Sequence, residues 1–185
     1  LAARDGKMLF SRGYGVANLE WDIANTPLTK FRIGSVTKQF TAAMILLLAE
    51  DGKLRLEDPV SSHWSDTPAA WKDITLFHLL THTSGIPNYT GLPEFASLQY
   101  FDTPVDKLVE LVRDRPLDFV PGSKYDYSNS GYVLLGYLIE RISGQRYDDF
   151  VRSRIFVPLG MKDSGYDSNT AIIERRAAGY QRRRD

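Results

Sequence analysis

The longest strongly apolar stretch of this chain runs from Phe40 to Ala49, and it constrains the fold more than any other feature. Apolar residues in and around it recur at helical spacing until the Asp51-Gly52 pair ends the pattern. The spacing predicts one buried central helix of about four turns within residues 35–52. Because the stretch is about half as long as a membrane span, we expect no transmembrane helix.

The overall composition indicates a globular protein with a hydrophobic core. At 185 residues, with 43% hydrophobic and 12% aromatic residues, the chain is long enough to bury such a core. Lys plus Arg equals Asp plus Glu at 23 each, so no overall field favours nucleic acid or an anionic membrane. The absence of cysteine excludes disulfides, thiol catalysis and cysteine-ligated metal sites.

Sheet signals are concentrated in the first part of the chain. The first residues predict a strand that enters an Asp5-Gly6 turn. Met8–Phe10 and Tyr14–Leu19 predict two more strands joined through Arg12-Gly13, so we expect a hairpin-like sheet up to about residue 24. The first residues lack the basic start and the long apolar centre of a signal peptide.

The rest of the chain is predicted to be mainly helical. Thr75 is placed to cap a helix over Leu76–Leu80, and Thr103-Pro104 begins a pattern that continues to Val112. Two further helices are predicted, from about Ser130 to Ser143-Gly144 and over Tyr147–Phe156. The segments between the helices are rich in Thr, Ser, Gly and Pro, which is typical of loops.

Ser35 and Lys38 are the first candidate pair for catalysis, at the start of the central helix. Residues three apart on a helix share a face, so the lysine amine can reach the serine hydroxyl and remove its proton. A position in the first turn disfavours a cation, and packing against Phe31, Ile33 and Phe40 would favour the neutral amine. The Ser35 N–H, left free at the helix start, would supply half of an oxyanion hole.

Tyr127 and Asn129 are the second candidate pair, where a turn-rich segment enters a helix. A tyrosine beside a cation can lose its phenolic proton or relay it between nucleophile and leaving group. An asparagine two residues away can donate to a substrate carbonyl while it accepts from a lysine. Both pairs also have a simpler interpretation, in which Ser35 and Asn129 are helix caps and the other residues are solvated.

Four segments together resemble the serine β-lactamase-like hydrolases, a family of class C β-lactamases, D-alanyl-D-alanine carboxypeptidases and family VIII esterases. The segments are Phe31–Ala42, Leu79–Pro87, Tyr127–Tyr132 and Pro158–Met161. The resemblance covers essentially the whole chain. The Tyr-Ser-Asn triplet stands where class A enzymes and penicillin-binding proteins have Ser-Asp-Asn, which favours the class C or esterase branch.

The resemblance implies an α+β fold of the β-lactamase/transpeptidase type, with an incomplete antiparallel sheet, flanking helices and a mainly helical lobe. It implies one truncated β-lactamase-like domain over residues 1–185. In that domain 1–34 would form the N-terminal strands, 35–52 the central nucleophile helix and 53–165 the helical lobe. Residues 166–185 would begin the return to the sheet.

The same resemblance implies roles for the candidate residues. Ser35 would be acylated, Lys38 and Tyr127 would move protons, and Asn129 would hold a small-molecule or peptide substrate. That substrate would be a β-lactam, a D-amino-acid peptide or a small ester. The segment 81–87 would be structural. No cofactor or metal is implied, and a periplasmic or secreted location is favoured.

The third element of the family, a Lys-Thr-Gly or His-x-Gly triplet on a late strand, has no counterpart in this sequence. Its nearest look-alike, Lys162-Asp163-Ser164-Gly165, has one residue too many. The missing strand would supply the second oxyanion donor, and losing one donor typically raises the barrier by about 3 kcal/mol. We therefore expect an N-terminal fragment that is weak or inactive alone, with an exposed sheet edge open to self-association.

Several other functions are weighed against this one. A Ser-His-Asp hydrolase using His63, His78 or His82 lacks a Gly-x-Ser-x-Gly elbow, and a metal site from these histidines lacks a Glu after the second. The arginines at 175–176 and 182–184 could form a nucleic-acid patch, but such short runs on a neutral protein are usually solvated surface. A penicillin-binding sensor without turnover differs only in where one water lies, so the sequence leaves it open.

Overall fold

The computed structural model describes residues 1–98 and 100–180, with strands first and helices after them. Within these residues the strands are β1 (Ala2–Arg4), β2 (Lys7–Phe10), β3 (Val16–Asn18) and β4 (Ile23–Ala24). The α-helices are α1 (Lys38–Glu50), α2 (Leu76–Leu80), α3 (Phe95–Leu98), α4 (Val105–Arg113), α5 (Asn129–Ser143) and α6 (Tyr147–Val151). Short 3₁₀ turns cover Gly34–Thr37, Val60–Ser62, Ala69–Trp71 and Tyr89–Gly91, and a π-helical turn covers Arg152–Phe156. This mixture of helices and small antiparallel sheets confirms the α+β expectation.

The chain divides into two compact units. One is Leu1–Gly34 joined with the chain from Asp163 onward, and the other is Ser35–Lys162. The predicted division of the chain into 1–34, 35–52, 53–165 and 166–185 stays a prediction. The assignment of all 185 residues to a single domain stays a prediction. No described helix has the length and the apolar character needed to cross a membrane.

In the first unit the strands pair as two separate hairpins. β1 pairs antiparallel with β2 across the predicted Asp5-Gly6 turn, in which both residues have positive φ. The predicted pairing through Arg12-Gly13 is wrong, because β3 pairs with β4. A Cβ on Gly13 would lie 2.3 Å from the Asn25 carbonyl oxygen, so the chain can pass close to Asn25 only at a glycine. The Asn25 N–H donates to Gly15 O at 2.9 Å. This bond lies beside the pair of β3 and β4, because Gly15 directly precedes β3 and Asn25 directly follows β4.

Described residues of the C-terminal segment of this unit bond to the backbone of its first part. The return of residues 166–185 to the sheet stays a prediction. The Ala178 N–H donates to Ala17 O at 2.8 Å, and the Lys30 N–H donates to Arg175 O at 2.9 Å. Arg176 forms an ion pair with Asp167 at 2.6 Å, which gives that arginine a structural partner. The arginines at 182–184 lie outside the described residues, and their solvated character stays a prediction.

The core of the second unit is built on the predicted central helix. Met44, Ile45 and Leu48 of α1 are fully buried in one hydrophobic cluster with residues of α5 such as Leu135. The helix begins with the 3₁₀ turn and ends at Glu50. There Gly52 adopts φ 69°, and its N–H donates to the carbonyl of Ala49 at 3.0 Å. The predicted helix and its Asp-Gly stop are therefore confirmed.

The other helix starts follow the predictions with local differences. Thr75 caps α2 through its hydroxyl, which accepts from the His78 N–H at 3.2 Å. Thr103 is not a cap, because its hydroxyl donates to Leu98 O at 3.2 Å and Pro104 occupies the cap position. α5 begins at Asn129, next to Ser130, in agreement with the predicted start.

Candidate active site

Ser35 lies in the 3₁₀ turn just before α1, with its side chain exposed. Its Oγ lies 2.6 Å from the hydroxyl of Tyr127 and 3.3 Å from the Nζ of Lys38. Both groups donate to the serine oxygen in this arrangement, so loss of a proton from either creates an acceptor within reach of the serine proton. At the start of a 3₁₀ turn the Ser35 N–H has no partner within the turn and is available to an oxyanion.

Lys38 is the first residue of α1 and is half-buried. Its Nζ donates to Asn129 Oδ1 at 2.7 Å and lies 4.8 and 5.4 Å from the ring centroids of Tyr127 and Tyr132. Two aromatic faces and an amide oxygen therefore surround the amine. Such contacts hold a cation in place and fix its direction towards Ser35.

The predicted packing of Lys38 against Phe40 is wrong. The packing predicted for Phe31 and Ile33, which belong to the first unit, stays a prediction. Phe40 packs edge-on against Phe156, at 5.5 Å between ring centroids. Residues two apart on a helix do not share a face, so Phe40 points into the core while Lys38 points towards the site. Tyr127 is 39% exposed, so solvent reaches its side chain.

Tyr127 precedes α5 and reaches Ser35 across 92 positions of sequence. Its polar contact with Lys38, and then its hydrogen bond to Ser35, lower the pKa of the phenol. A lowered pKa makes the phenolate more accessible near neutral pH, which suits a group that exchanges protons with a hydroxyl.

Asn129 is held by two residues that sequence reasoning assigned only to a loop. Its backbone N–H donates to Asn88 Oδ1 at 3.1 Å, and its Nδ2 donates to the hydroxyl of Thr90 at 3.3 Å. Thr90 in turn donates to Asn88 Oδ1 at 3.1 Å. The amide is therefore oriented with its oxygen towards Lys38, and its second N–H remains for a ligand. No local signal identifies Asn88, because its partner lies 41 positions away.

A short backbone ladder places the Tyr127 segment beside the predicted structural segment 81–87. The N–H groups of Asp118, Gly122 and Asp126 donate to carbonyls of that segment at 2.8, 2.8 and 2.9 Å. Their acceptors are Gly85, Thr83 and His82, in that order. The segment therefore supports the approach of Tyr127 to Ser35.

Gly85→Ala is expected to weaken this ladder strongly. Gly85 has φ 76°, and a Cβ there would lie 2.2 Å from the carbonyl oxygen of Phe119. We expect the free energy of unfolding to fall by about 2 kcal/mol or more, from backbone strain and overpacking combined. Gly91→Ala is the matched control, since nothing lies within 4 Å of its Cβ position and its φ is not positive. Equal denaturant midpoints for the two variants would contradict the expectation.

The three histidines do not form a catalytic base or metal site. His63 pairs with Asp58 at 2.9 Å, and His78 completes the cap of α2 by accepting from the Thr75 N–H. His82 contacts Tyr127 and lies beside the candidate site. Among the described residues, no group of three or more His, Cys, Asp or Glu could hold a metal ion.

The look-alike of the third element, Lys162–Gly165, lies outside the strands and helices. Within the first unit its Asp163 makes an ion pair with Lys30 at 3.3 Å. These residues therefore do not form the strand on which the family carries its second oxyanion donor.

Known proteins share both the sequence and the architecture of this chain. The family model named Beta-lactamase matches residues 1–185. The putative penicillin-binding protein PbpX of Bacillus subtilis (strain 168) is 35% identical over 181 residues, which are 98% of this chain and 44% of that protein. The octameric penicillin-binding protein homologue from Pyrococcus abyssi has a TM-score of 0.81 at 32% identity, covering 96% of this chain and 42% of that chain. D-amino acid amidase from Ochrobactrum anthropi SV3 has a TM-score of 0.78 at 34% identity, covering 90% and 47%.

The chain spans 44%, 36% and 37% of the lengths of three curated relatives that it matches. The likeness to the two solved structures confirms the predicted β-lactamase/transpeptidase-like fold. Since the family model matches from residue 1 to residue 185, the chain belongs to the Beta-lactamase family.

Proposed function

We propose that this chain carries the nucleophile of a serine hydrolase, which forms an acyl-enzyme at Ser35. The observation that supports this most is the convergence of two proton-carrying groups on one serine oxygen. Tyr127 OH and Lys38 Nζ lie 2.6 and 3.3 Å from Ser35 Oγ, and they come from different elements. A serine that serves only as a helix cap has no need of either group.

In the proposed reaction Ser35 Oγ attacks the substrate carbonyl carbon, and its proton passes to Tyr127 or Lys38. The carbonyl oxygen gains negative charge, which the Ser35 N–H stabilises. The carbon–nitrogen or carbon–oxygen bond then breaks, and Tyr127 returns a proton to the leaving group. Asn129 donates its free amide N–H to a substrate carbonyl and keeps Lys38 directed at Ser35.

The proposed substrate is a β-lactam, a D-amino-acid peptide or amide, or a small ester. A relative described as a putative penicillin-binding protein supports the first, and a D-amino acid amidase supports the second. Carboxypeptidase and esterase activity are proposed on the resemblance of the motifs. The alternative is a penicillin-binding sensor, or a fragment without turnover.

A mass measurement separates these functions. Incubation with benzylpenicillin should add the mass of the ligand to the chain, transiently in a hydrolase and lastingly in a sensor. We expect the 185-residue chain to acylate slowly, because the described residues offer no strand for a second oxyanion donor. Release of D-phenylalanine from its amide, in parallel, tests the amidase branch. Absence of any adduct and of any turnover at high ligand concentration would contradict the proposal.

We also propose that the chain self-associates through the exposed edge of its first hairpin. Met8 and Leu9 on β2 are 66% and 65% exposed, and one structural relative is described as octameric. Light scattering after size-exclusion chromatography should show a dimer or larger species. Met8→Lys combined with Leu9→Lys should return it to a monomer, and a wild-type monomer at high concentration would contradict this proposal.

A further inference from the structure

His82 occupies an unusual backbone position beside the proposed nucleophile. It follows α2 with φ 59°, in the left-handed region that non-glycine residues seldom adopt. Its carbonyl accepts from the Asp126 N–H at 2.9 Å, which fixes this conformation against the Tyr127 segment. Backbone strain of this kind persists where the surrounding structure requires it, and it often marks a functional site.

The imidazole of His82 binds the backbone of Ser128, the residue between Tyr127 and Asn129. Its Nδ1 accepts from the N–H of Ser128, which stands between Tyr127 and Asn129, at 3.2 Å. An accepting Nδ1 carries no proton, so the ring is the neutral tautomer with its proton on Nε2. Burial, and then the charge of Lys38, lower the pKa of His82.

The same imidazole lies between two aromatic rings of the site. Its centroid lies 4.5 Å from that of Tyr127 and 5.1 Å from that of Tyr132, with interplanar angles of 34° and 33°. Tyr132 is itself fixed, since its hydroxyl donates to Leu80 O at 3.0 Å. His82 therefore packs against the ring of Tyr127, a side chain that is 39% exposed.

Protonation of His82 would break the hydrogen bond that it accepts from Ser128. Nδ1 would become a donor facing the Ser128 N–H, and a second cation would stand near Lys38. The titratable groups that face the ring are Lys38 on α1, Tyr125 and Tyr127 before α5, and Tyr132 on α5. None of these contacts is with a carboxylate that could offset the added charge.

We propose that neutral His82 is a positioning residue, which holds Tyr127 against Ser35 through the Ser128 N–H and the ring stack. It touches neither Ser35 nor the place of the substrate in the proposed reaction, so it acts through Tyr127. This inference rests on the proposed function for its meaning in catalysis. The structural part, control of the Tyr127 phenol by the His82 ring, can be tested without any turnover.

Nuclear magnetic resonance on labelled histidine and tyrosine tests this directly, because the chain has 3 histidines and 10 tyrosines. Tyr127→Phe assigns the Tyr127 signal, and His82→Asn assigns the His82 signal. In the wild-type chain we expect His82 to carry its proton on Nε2. The pH midpoint of its titration should lie below the ordinary histidine pKa of 6.5. The Tyr127 ring signal should move with that same midpoint. A His82 proton on Nδ1 would overturn the proposal. So would a Tyr127 signal that does not change over the pH range in which His82 titrates.

His82→Asn supplies the second arm of the test. Asparagine tolerates the left-handed backbone and can offer Oδ1 to Ser128, but it has no ring to support Tyr127. We expect the lowered Tyr127 pKa to return towards its ordinary value of 10.0. Acylation, where it is measurable, should slow by about 10- to 100-fold through misplacement of the phenol. His63→Asn is the control, because His63 pairs with Asp58. It should change neither the Tyr127 pKa nor the acylation rate.

The two proposals fail separately in this design. If Ser35 is never acylated but Tyr127 responds to His82, the proposed function fails and the positioning role stands. If acylation occurs and the Tyr127 pKa is the same in His82→Asn, the positioning role is wrong. Should His82→Asn fail to fold, His63→Asn and His78→Asn assign the other two histidines, and the wild-type titration of the remaining signal decides the matter.

The pH dependence of folding follows with a definite sign. Because the folded pKa of His82 lies below the unfolded value of 6.5, the neutral ring is favoured in the fold. Its contribution to stability is complete above the unfolded pKa and is lost as the pH falls through the folded pKa. The free energy of unfolding should therefore decrease more on acidification in the wild-type chain than in His82→Asn.

Discussion

Ser35→Ala is expected to abolish covalent labelling of the chain by β-lactams, a loss of roughly 10²-fold or more from an already slow wild-type rate. The serine oxygen is the atom on which Tyr127 and Lys38 converge, and alanine leaves both groups without a nucleophile to activate. The rate of adduct formation, followed by intact mass, measures the loss.

Thr37→Ala is the matched control for this experiment. Thr37 lies in the same 3₁₀ turn, and its side chain makes no hydrogen bond that caps α1. Its loss should leave the labelling rate within a few-fold of the wild type. Labelling that survives Ser35→Ala at a wild-type rate would place the nucleophile elsewhere.

Lys38→Met is expected to lower the acylation rate by about 10²- to 10⁴-fold, while the fold is retained. Methionine keeps an unbranched side chain of similar length but removes the amine that contacts Ser35, Tyr127 and Tyr132. It also leaves Asn129 Oδ1 without its donor at 2.7 Å, so substrate binding should weaken too.

Lys72→Met is the control, because Lys72 is an exposed lysine outside the site. The acylation rate at saturating β-lactam, and the β-lactam concentration that gives half of that rate, should be measured for both variants. A near wild-type rate for Lys38→Met would mean that Tyr127 alone takes the serine proton. Loss of both acylation and cooperative unfolding would instead indicate a structural role for Lys38.

The parts of the molecule that sequence predicts well are set by local patterns. The spacing of apolar residues predicts α1, and a three-residue step along a helical turn predicts the meeting of Ser35 with Lys38. The same holds for Thr75, whose cap bond reaches only three residues ahead. Each of these contacts depends on residues within one helical turn, so the sequence carries the whole signal.

The parts that sequence does not predict are set by contacts between distant segments. β3 pairs with β4 and not with β2, and this pairing depends on the close approach of Asn25 to Gly13. The pattern of apolar residues along the sequence contains no sign of that approach. The resemblance implies only a structural role for the segment with His82, because the proposed contact with Tyr127 depends on a left-handed backbone and on a hydrogen-bond partner 46 positions away. The meeting of Tyr127 with Ser35 could be expected only from the resemblance of the paired motifs.

Peptide mapping of the labelled wild-type chain tests the central claim most directly. Trypsin should release residues 33–38 as one peptide, since cleavage follows Arg32 and Lys38. That peptide contains two hydroxyls, and fragmentation distinguishes Ser35 from Thr37. We predict that the β-lactam mass lies on Ser35 alone. A label on any other residue, with Ser35 unmodified throughout, would contradict the account.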